Sequence, residues 1–410
     1  MNDGIPTPTL DVDVAILGGG LSGGLAALAI AKHAPHLCVA LVEQGDHLAG
    51  NHTWCCHAGD LGAAEGESNR TWFRPLVKHR WSQYQVKFPH FDRRIDGEYL
   101  CIPSTVLEME VAKTMARPGA RLLLGESVKT ASSSEVVLES GKRLRARLVL
   151  DARGSRARKG GAGFQKFLGW EVETAEPAPG LGPIPTLMDA TVEQVDGYRF
   201  IYVLPMSATR FLVEDTYFSR APEFSQEIVA DRLRSYLAGR GVGRYEVVRE
   251  ERGALPMPWG TVLGGLDSDA DSDSDPVAIG YRAGLFHPAT GYSLGLAVQT
   301  ADRIARAAAD SPADSLHRVA VWTVAYLRDE LASDLHFGRK LNFLAFRTLP
   351  GGWLRNLVFA AIYRLPPDLL ERFYAARTTA RDRLVLLAAV ARLPWPGLAK
   401  TSTQPNGEIA

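Results

Sequence analysis

The sequence predicts an α/β fold in which a dinucleotide-binding domain of the Rossmann type is interleaved with an antiparallel-sheet domain and followed by a helical C-terminus. Three observations support this prediction. An apolar strand, a glycine cluster and an Ala/Leu-rich helix follow one another over residues 12–34, and a second apolar strand begins at Cys38. This β-α-β order requires a parallel sheet. Strand-like runs at 198–204 and 210–213 flank a short turn and predict a hairpin, and the chain beyond residue 337 is basic, aromatic and leucine-rich.

The glycine cluster has the spacing of a dinucleotide-binding turn, Gly18-x-Gly20-x-x-Gly23. The first glycine permits the tight turn, the second lets backbone N–H groups approach a pyrophosphate, and the third lets the helix pack closely on the strand. Glu43 ends the second strand, where a carboxylate can accept hydrogen bonds from both ribose hydroxyls. Strand, helix and acid together favour dinucleotide binding over a purely structural turn.

Two later segments decide between FAD and a nicotinamide dinucleotide. Asp151 begins the segment Asp-Ala-Arg-Gly after a strand, and a glycine-rich segment from Gly280 to Gly291 opens a helix. Flavoproteins of the glutathione-reductase-like and hydroxylase-like class close on FAD with such a late segment, so we predict FAD, with Asp151, Gly280 and Gly291 among its binding residues. The usual Gly-Asp, whose Asp binds a ribityl hydroxyl, reads Gly280-Tyr281 in this chain.

The predicted domains are discontinuous, because the dinucleotide-binding motifs lie far apart along the chain. The FAD-binding domain is assigned residues 1–80, 100–160 and 250–310, the substrate domain residues 81–99 and 161–249, and the helical C-terminal region residues 311–410.

The bulk composition excludes several classes of function. Lys+Arg and Asp+Glu both number 46, so no global charge selects nucleic acid. The four cysteines have no spacing typical of a metal site or a disulfide framework. The first nine residues lack the features of a signal peptide, and no apolar run approaches the roughly 20 residues of a spanning helix. The acidic run 267–275 lacks the glycine and distal glutamate of an EF-hand and predicts a solvated loop.

Five segments together resemble the bacterial lycopene β-cyclases, and the likeness extends from about residue 12 to about residue 395. They are residues 51–54, 198–205, 214–216, 284–293 and 371–374. The Glu-Asp-Thr and His-Pro-x-Thr-Gly-Tyr sequences within them are far more specific than the glycine motif. The resemblance implies closure of an ionone ring at each end of lycopene, giving β-carotene by way of γ-carotene. It also implies FAD in its reduced form, kept reduced by NAD(P)H, with no net redox change.

Ring closure of this kind needs an acid in a dry site, because an alkene is a very weak base. Glu214 ends a predicted strand and matches the acidic motif of the family, so it is the first candidate for the acid or base. An apolar tunnel would raise its pKa and keep it protonated. Asp215 and His287 are further candidates. The alternatives are a structural partner for Asp215 and a histidine that satisfies its own loop for His287.

Four side chains are candidates for the lining of a polyene channel: His52, Trp54, Phe200 and Tyr202. Aromatic faces near a forming cation stabilise it. The alternative for these aromatic residues is ordinary core packing, which is their more common role on strands.

The C-terminal region carries eleven basic and three acidic residues between positions 339 and 400, a net charge of +8. Residues 353–364 and 384–391 combine this charge with aromatic and leucine side chains, which is typical of helices in a membrane interface. The alternative is a set of helices docked on the enzyme. Since a C40 hydrocarbon is almost insoluble in water, we expect a peripheral association with the cytoplasmic side of a membrane.

Two other functions are compatible with the same motifs. A redox flavoenzyme of this fold, such as a hydroxylase or an isoprenoid reductase, would consume NAD(P)H stoichiometrically. A non-catalytic carotenoid-binding flavoprotein would bind lycopene without converting it.

Overall fold

The computed structural model describes residues 9–62, 72–154, 161–260, 274–349 and 351–393, which form two β-sheets and a set of helices. The strands are β1 (Thr9–Leu17), β2 (Val39–Val42), β3 (Thr53–His57), β4 (His79–Phe88), β5 (Phe91–Pro103), β6 (Ala120–Leu123), β7 (Val128–Ala131), β8 (Glu135–Leu138), β9 (Arg143–Asp151), β10 (Ala162–Thr174), β11 (Thr186–Asp189), β12 (Tyr198–Pro205), β13 (Arg210–Ser219), β14 (Tyr245–Pro258) and β15 (Val277–Ala278). The α-helices are α1 (Leu21–His33), α2 (Ser104–Met115), α3 (Gln226–Gly239), α4 (Leu294–Ala309), α5 (Leu316–Phe343), α6 (Gly352–Ile362), α7 (Pro367–Tyr374) and α8 (Ala380–Ala391).

The first sheet has the strand order β6-β2-β1-β9-β8-β7, with β15 paired to β9. β1 pairs in parallel with β2 and β9, and Val14 lies opposite both Val39 and Leu148. The second half of β1, from Val14 to Leu17, and the whole of β2 are buried apolar runs, as strands covered on both faces must be. The predicted β-α-β unit is confirmed. The helix begins at Leu21, inside the glycine cluster, because Gly23 packs closely on the turn below it.

The second sheet has the order β14-β10-β13-β12-β11-β4-β5-β3, and only the β11–β4 pair is parallel. The predicted hairpin is confirmed, since β12 and β13 pair antiparallel from Tyr198 opposite Phe218 to Pro205 opposite Phe211. The predicted α/β fold class is confirmed by the two sheets and the C-terminal helices.

Two segments assigned by sequence to the FAD-binding domain lie in the second sheet. The strand β3 pairs with β5, with Cys55 opposite Cys101, and residues 250–258 belong to β14, which runs along β10. Both strands pair with partners that are distant in the sequence, and local patterns carry no information about such partners.

The register of β13, β10 and β14 decides which side chains share a face. Glu214 lies opposite Gly169, and Gly169 lies opposite Glu251. Since side chains alternate along a strand, Asp215 points to the other face of the sheet. There it is fully buried and paired with Arg199.

The C-terminal helices pack on the second sheet. Tyr363, which caps the C-terminal end of α6, and Leu370 of α7 belong to the same apolar cluster as Tyr99 of β5. A π-helical segment, Leu344–Thr348, follows α5. Its Phe346 occupies the space that a side chain at Gly163 would fill. None of the described helices has both the length and the apolar composition needed to cross a membrane. Of the acidic run 267–275, residues 267–273 lie outside the described residues.

Candidate active site and cofactor cleft

A cavity of about 1180 Å³ extends from the glycine turn to the C-terminal helices. Its first end is lined by the turn and by most of residues 42–50, which begin at the last residue of β2. Its middle is lined by strands of the second sheet, and its far end by α6, α7, α8 and the π-helical segment. Small-molecule sites commonly measure roughly 300–1,000 Å³, so this cavity has room for more than one large ligand group.

The glycine turn forms an open cradle at the first end of the cavity. Gly18 has a φ of +97°, and a Cβ atom there would lie 2.9 Å from the carbonyl oxygen of Ala152. A Cβ atom on Gly23 would overlap the carbonyl oxygen of Gly18, whereas a Cβ atom on Gly20 would meet nothing within 4 Å. Gly20 caps α1 without a side chain, and the first turn of α1 has no acidic residue, so its free N–H groups suit a phosphate.

Glu43 lies beside this cradle and lines the cavity. Its carboxylate accepts hydrogen bonds from the backbone N–H groups of Gly19 at 2.7 Å and Gly45 at 2.9 Å. These bonds fix the carboxylate next to the open space at Gly20. The residues present therefore fit the adenosine diphosphate half of a dinucleotide.

Of the other residues predicted to bind the cofactor, some line the cavity and others do not. Gly291 lines the cavity, but Asp151 does not. Asp151 is only 2% exposed and accepts hydrogen bonds from Arg153 and Arg282. Burial alone would raise the pKa of Asp151, but the two guanidinium groups lower it below its usual value. The side chain of Asp151 is thus engaged by two arginines rather than exposed to the cavity, and its contact with the cofactor stays a prediction.

The residues after Asp151 and the turn at Gly280 contribute in other ways. Residues 152–154 line the cavity where Asp151 was expected. Gly280 also lies outside the lining. A Cβ atom on it would overlap the hydroxyl of Ser22, so it acts by allowing the late segment to approach the start of α1.

Glu214 lines the cavity, together with strands of the second sheet, and is half-buried. Its Oε1 atom accepts a hydrogen bond from the hydroxyl of Thr216. Burial, followed by the negative charge of Glu251, raises the pKa of Glu214 to about 8. A carboxyl group with this pKa is protonated at neutral pH and can act as an acid.

Glu251 is a second carboxylate at the cavity wall, and the sequence analysis missed it. Burial raises its pKa, although Arg249 donates a hydrogen bond to it at 2.7 Å and Thr53 another at 3.0 Å. It stands within the run Arg-Glu-Glu-Arg at 249–252, which reads as a solvated charged segment. The only local signal for Glu251 is the alternation of side chains along β14, which places every second residue on the same face. The pairing of β14 with β10 decides which of the two faces meets the cavity.

Asp215 and His287, the other predicted catalytic residues, do not line the cavity. Arg199 donates two hydrogen bonds to Asp215, at 2.8 and 2.9 Å, and the hydroxyl of Tyr217 donates a third at 2.9 Å. His287 is 4% exposed and its ring lies edge-on to Phe373, at 4.9 Å between centroids. Burial lowers the pKa of His287 to about 4. Neither side chain lines the cavity, which agrees with the structural alternative for each, and their catalytic roles stay predictions.

The predicted channel residues His52, Trp54, Phe200 and Tyr202 all line the cavity. Tyr202 shares a hydrogen bond of 2.9 Å with the hydroxyl of Tyr99, which shares another of 2.7 Å with Tyr292. Sequence reasoning missed Tyr99, because it lies on β5, a strand without a recognisable motif.

The far end of the cavity is almost entirely apolar. The lining side chains contributed by the C-terminal region include Phe346, Phe359, Ile362, Leu370, Phe373, Leu386 and Val390. The cavity therefore joins a polar nucleotide cradle to an apolar chamber, with Glu214 between the two.

The fold is shared with proteins of known structure. A geranylgeranyl bacteriochlorophyll reductase-like protein from Thermoplasma acidophilum superposes with a TM-score of 0.59 at 14% identity, covering 94% of this chain and 97% of the other. A probable FAD-dependent monooxygenase from Pseudomonas aeruginosa gives a TM-score of 0.59 at 16% identity, covering 82% of this chain and 97% of the other. At 14% and 16% identity, the similarity to these two structures is a similarity of fold alone.

Sequence comparison is more specific. The lycopene beta-cyclase of Pantoea ananas is 37% identical over 390 residues, which cover 94% of this chain and 96% of that protein. The lycopene beta-cyclase of Paracoccus sp. (strain N81106 / MBIC 01143) is 38% identical over 386 residues, which cover 93% and 95%. The family model described as Lycopene cyclase protein matches residues 13–399. The chain therefore belongs to the lycopene cyclase family.

Proposed function

We propose that this protein is a lycopene β-cyclase, an isomerase that converts the linear ends of lycopene to β-ionone rings by way of γ-carotene. The observation that carries the proposal is the position of Glu214, which faces a largely apolar cavity and has no ion pair within the described part of the chain. The family membership and the named relatives support lycopene as the substrate.

The first step is a proton transfer from Glu214. A carboxyl group with a pKa of about 8 holds its proton at neutral pH and can donate it to the terminal alkene of the polyene. The new C–H bond leaves a tertiary cation, and the next double bond attacks this cation to close the ring. Loss of a ring proton then restores a double bond, so the product has the same formula as the substrate.

The aromatic lining assists this chemistry. Trp54, Phe200 and Tyr202 line the same cavity as Glu214, where their π faces can stabilise a cation. These side chains, together with the apolar far end, also match the shape and polarity of a long hydrocarbon.

FAD is the cofactor that the first end of the cavity would hold. Gly18 and Gly20 would receive the pyrophosphate, and Glu43 would bind the ribose of the adenosine half. When bound in its reduced form, with NAD(P)H as the reductant, FAD would supply negative charge that stabilises the cation.

The substrate would enter from a membrane surface on the cytoplasmic side. Leu344 and Leu387 are 41% and 43% exposed and also line the cavity, so the far end opens to the outside between apolar side chains. Trp353 and Leu384 add further exposed apolar surface, at 55% and 69%. Basic side chains of the same region would be attracted to anionic lipid headgroups.

A direct test of the function is anaerobic incubation of the purified protein with lycopene and chemically reduced FAD. We expect γ-carotene and then β-carotene, with many product molecules for each flavin and no net oxidation of NAD(P)H, because cyclisation consumes no hydride. The pigments are measured by chromatography and the nicotinamide by absorbance. Oxidation of one NAD(P)H for each ring formed would contradict a non-redox mechanism.

The cofactor assignment is tested by Gly20→Val. A side chain at this position meets no protein atom, so we expect normal folding of the variant without cofactor, but its side chain would fill the pyrophosphate space. FAD at 100 times its Kd should stabilise the wild type by about 2.7 kcal/mol in urea unfolding and the variant hardly at all. Gly239→Ala, in open space on α3, is the matched control and should respond like the wild type.

The acid is tested by Glu214→Gln. Glutamine keeps the shape but has no acidic proton, so we expect the rate of cyclisation to fall by about 10²–10⁴ while FAD still binds. The exposed Glu246 on β14 provides the control, and Glu246→Gln should behave as the wild type. In the wild type, the rate should fall as pH rises through about 8, because Glu214 then loses the proton it must donate. A Gln variant with unchanged turnover would remove Glu214 from the mechanism.

Membrane association is tested by co-sedimentation with anionic liposomes. We expect the wild type to sediment, high salt to weaken the association, and the double variant Trp353→Glu/Leu384→Glu to remain in the supernatant. Ile228→Glu/Val247→Glu is the control, since these exposed apolar residues lie elsewhere in the chain. If both double variants sediment equally well, the C-terminal helices are not the membrane-binding surface.

A further inference from the structure

Two glutamate side chains face each other across a glycine in the second sheet. In the antiparallel register Glu214 of β13 and Glu251 of β14 are both direct neighbours of Gly169 on β10. A Cβ atom on Gly169 would lie 3.1 Å from Cγ of Glu251 and 3.5 Å from Cγ of Glu214. The absence of a side chain on the middle strand therefore brings the two carboxyl groups together at the cavity wall.

The surroundings of the two carboxyl groups differ in charge. Glu251 accepts hydrogen bonds from the Arg249 guanidinium at 2.7 Å and from the Thr53 hydroxyl at 3.0 Å. Glu214 accepts one from the neutral hydroxyl of Thr216. A guanidinium stabilises the ionised form of the carboxylate beside it, whereas a neutral neighbour does so far less. The negative charge of the pair is thus held at Glu251 and the proton at Glu214.

A ring closure needs one protonated and one ionised carboxyl group at the same time, since one proton enters the hydrocarbon and another leaves it. Two titratable groups whose environments favour opposite protonation states are the usual arrangement for an acid and a base in one site. Both carboxyl groups line the same cavity, so both can reach a polyene end bound there.

We propose that Glu251 is a second catalytic residue of the cyclisation, the base that removes the ring proton after Glu214 has supplied the first one. This assignment rests on the proposed cyclase function. The O–H bond of Glu214 breaks as the C–H bond at the chain end forms. The ring C–C bond then forms, the ring C–H bond breaks, its electrons become the ring double bond, and its proton forms an O–H bond on Glu251.

After one ring, Glu214 is ionised and Glu251 is protonated. Transfer of one proton from Glu251 to Glu214, across the space left by Gly169, restores the starting state without any other reactant. The number of protons in the pair is unchanged over the cycle, in keeping with an isomerisation.

The experiment compares Glu251→Gln, Glu251→Asp, Glu214→Gln and the wild type, all loaded with reduced FAD and incubated with lycopene in heavy water. Three quantities are measured: bound flavin, cyclic carotene, and deuterium at the chain-end carbons of recovered lycopene. Bound flavin reports folding. Glu171→Gln is the matched control, because Glu171 also pairs with Arg249, at 2.6 Å, but does not line the cavity.

We expect Glu251→Gln to lose about 10²-fold or more in cyclisation. Its recovered lycopene should nevertheless gain deuterium, because Glu214 still protonates the alkene and then takes a proton back. Glu214→Gln should give neither cyclic product nor deuterium. Glu251→Asp should recover part of the cyclisation, and Glu171→Gln should keep at least about a third of it.

Cyclisation by Glu251→Gln at the wild-type rate would overturn the assignment. So would recovered lycopene without deuterium in this variant, because Glu251 would then act only by positioning Glu214. If Glu171→Gln lost as much cyclisation activity as Glu251→Gln, Glu251 would act only as one member of the ion-pair network around Arg249. A wild type that binds flavin but does not cyclise lycopene would instead refute the proposed function.

Discussion

The burial of the Glu214 carboxyl group in an apolar cavity is the constraint on which the rest of the site depends. Such a group keeps its proton at neutral pH only where water is scarce and no cation stabilises the ionised form. The alternation of side chains along β13 meets this condition, because Glu214 enters the cavity and Asp215 enters the core on the opposite face. Arg199 forms its buried ion pair with Asp215 on that opposite face. Removal of either member of such a pair is strongly destabilising.

The C-terminal helices give the cavity its apolar character. Phe346, Phe359 and Leu370 from this region line the far end of the same cavity that Glu214 lines. The same region exposes Leu344 and Leu387 at the cavity lining. The same helices can therefore surround the acid with apolar side chains and offer an apolar route for a hydrocarbon. Both effects arise because these helices carry apolar side chains on the face toward the cavity and on the face toward the outside.

Much of the fold was predictable, because its signals are local. The β-α-β unit is a contiguous segment in which a buried strand, a glycine turn and a helix follow one another, and β12 and β13 are joined by a short turn. Strand β3 and residues 250–258 of β14 were assigned to the FAD-binding domain, yet both pair within the second sheet, with partners that lie far away in the sequence. Pairing of this kind is decided by edges and packing that only the folded chain creates.

The sequence by itself determined the nucleotide cradle of Gly18, Gly20 and Glu43, and it pointed to Glu214 through a motif shared with a family. Only the tertiary structure decided that Asp151, Asp215 and His287 turn away from the cavity, and that Glu251, Tyr99 and Tyr292 face it. For the residues on strands, the physical reason is that a strand offers its side chains to two faces with a period of two residues. The face that meets the site is fixed by register with neighbouring strands and by the helices packed on them, and a single sequence records neither.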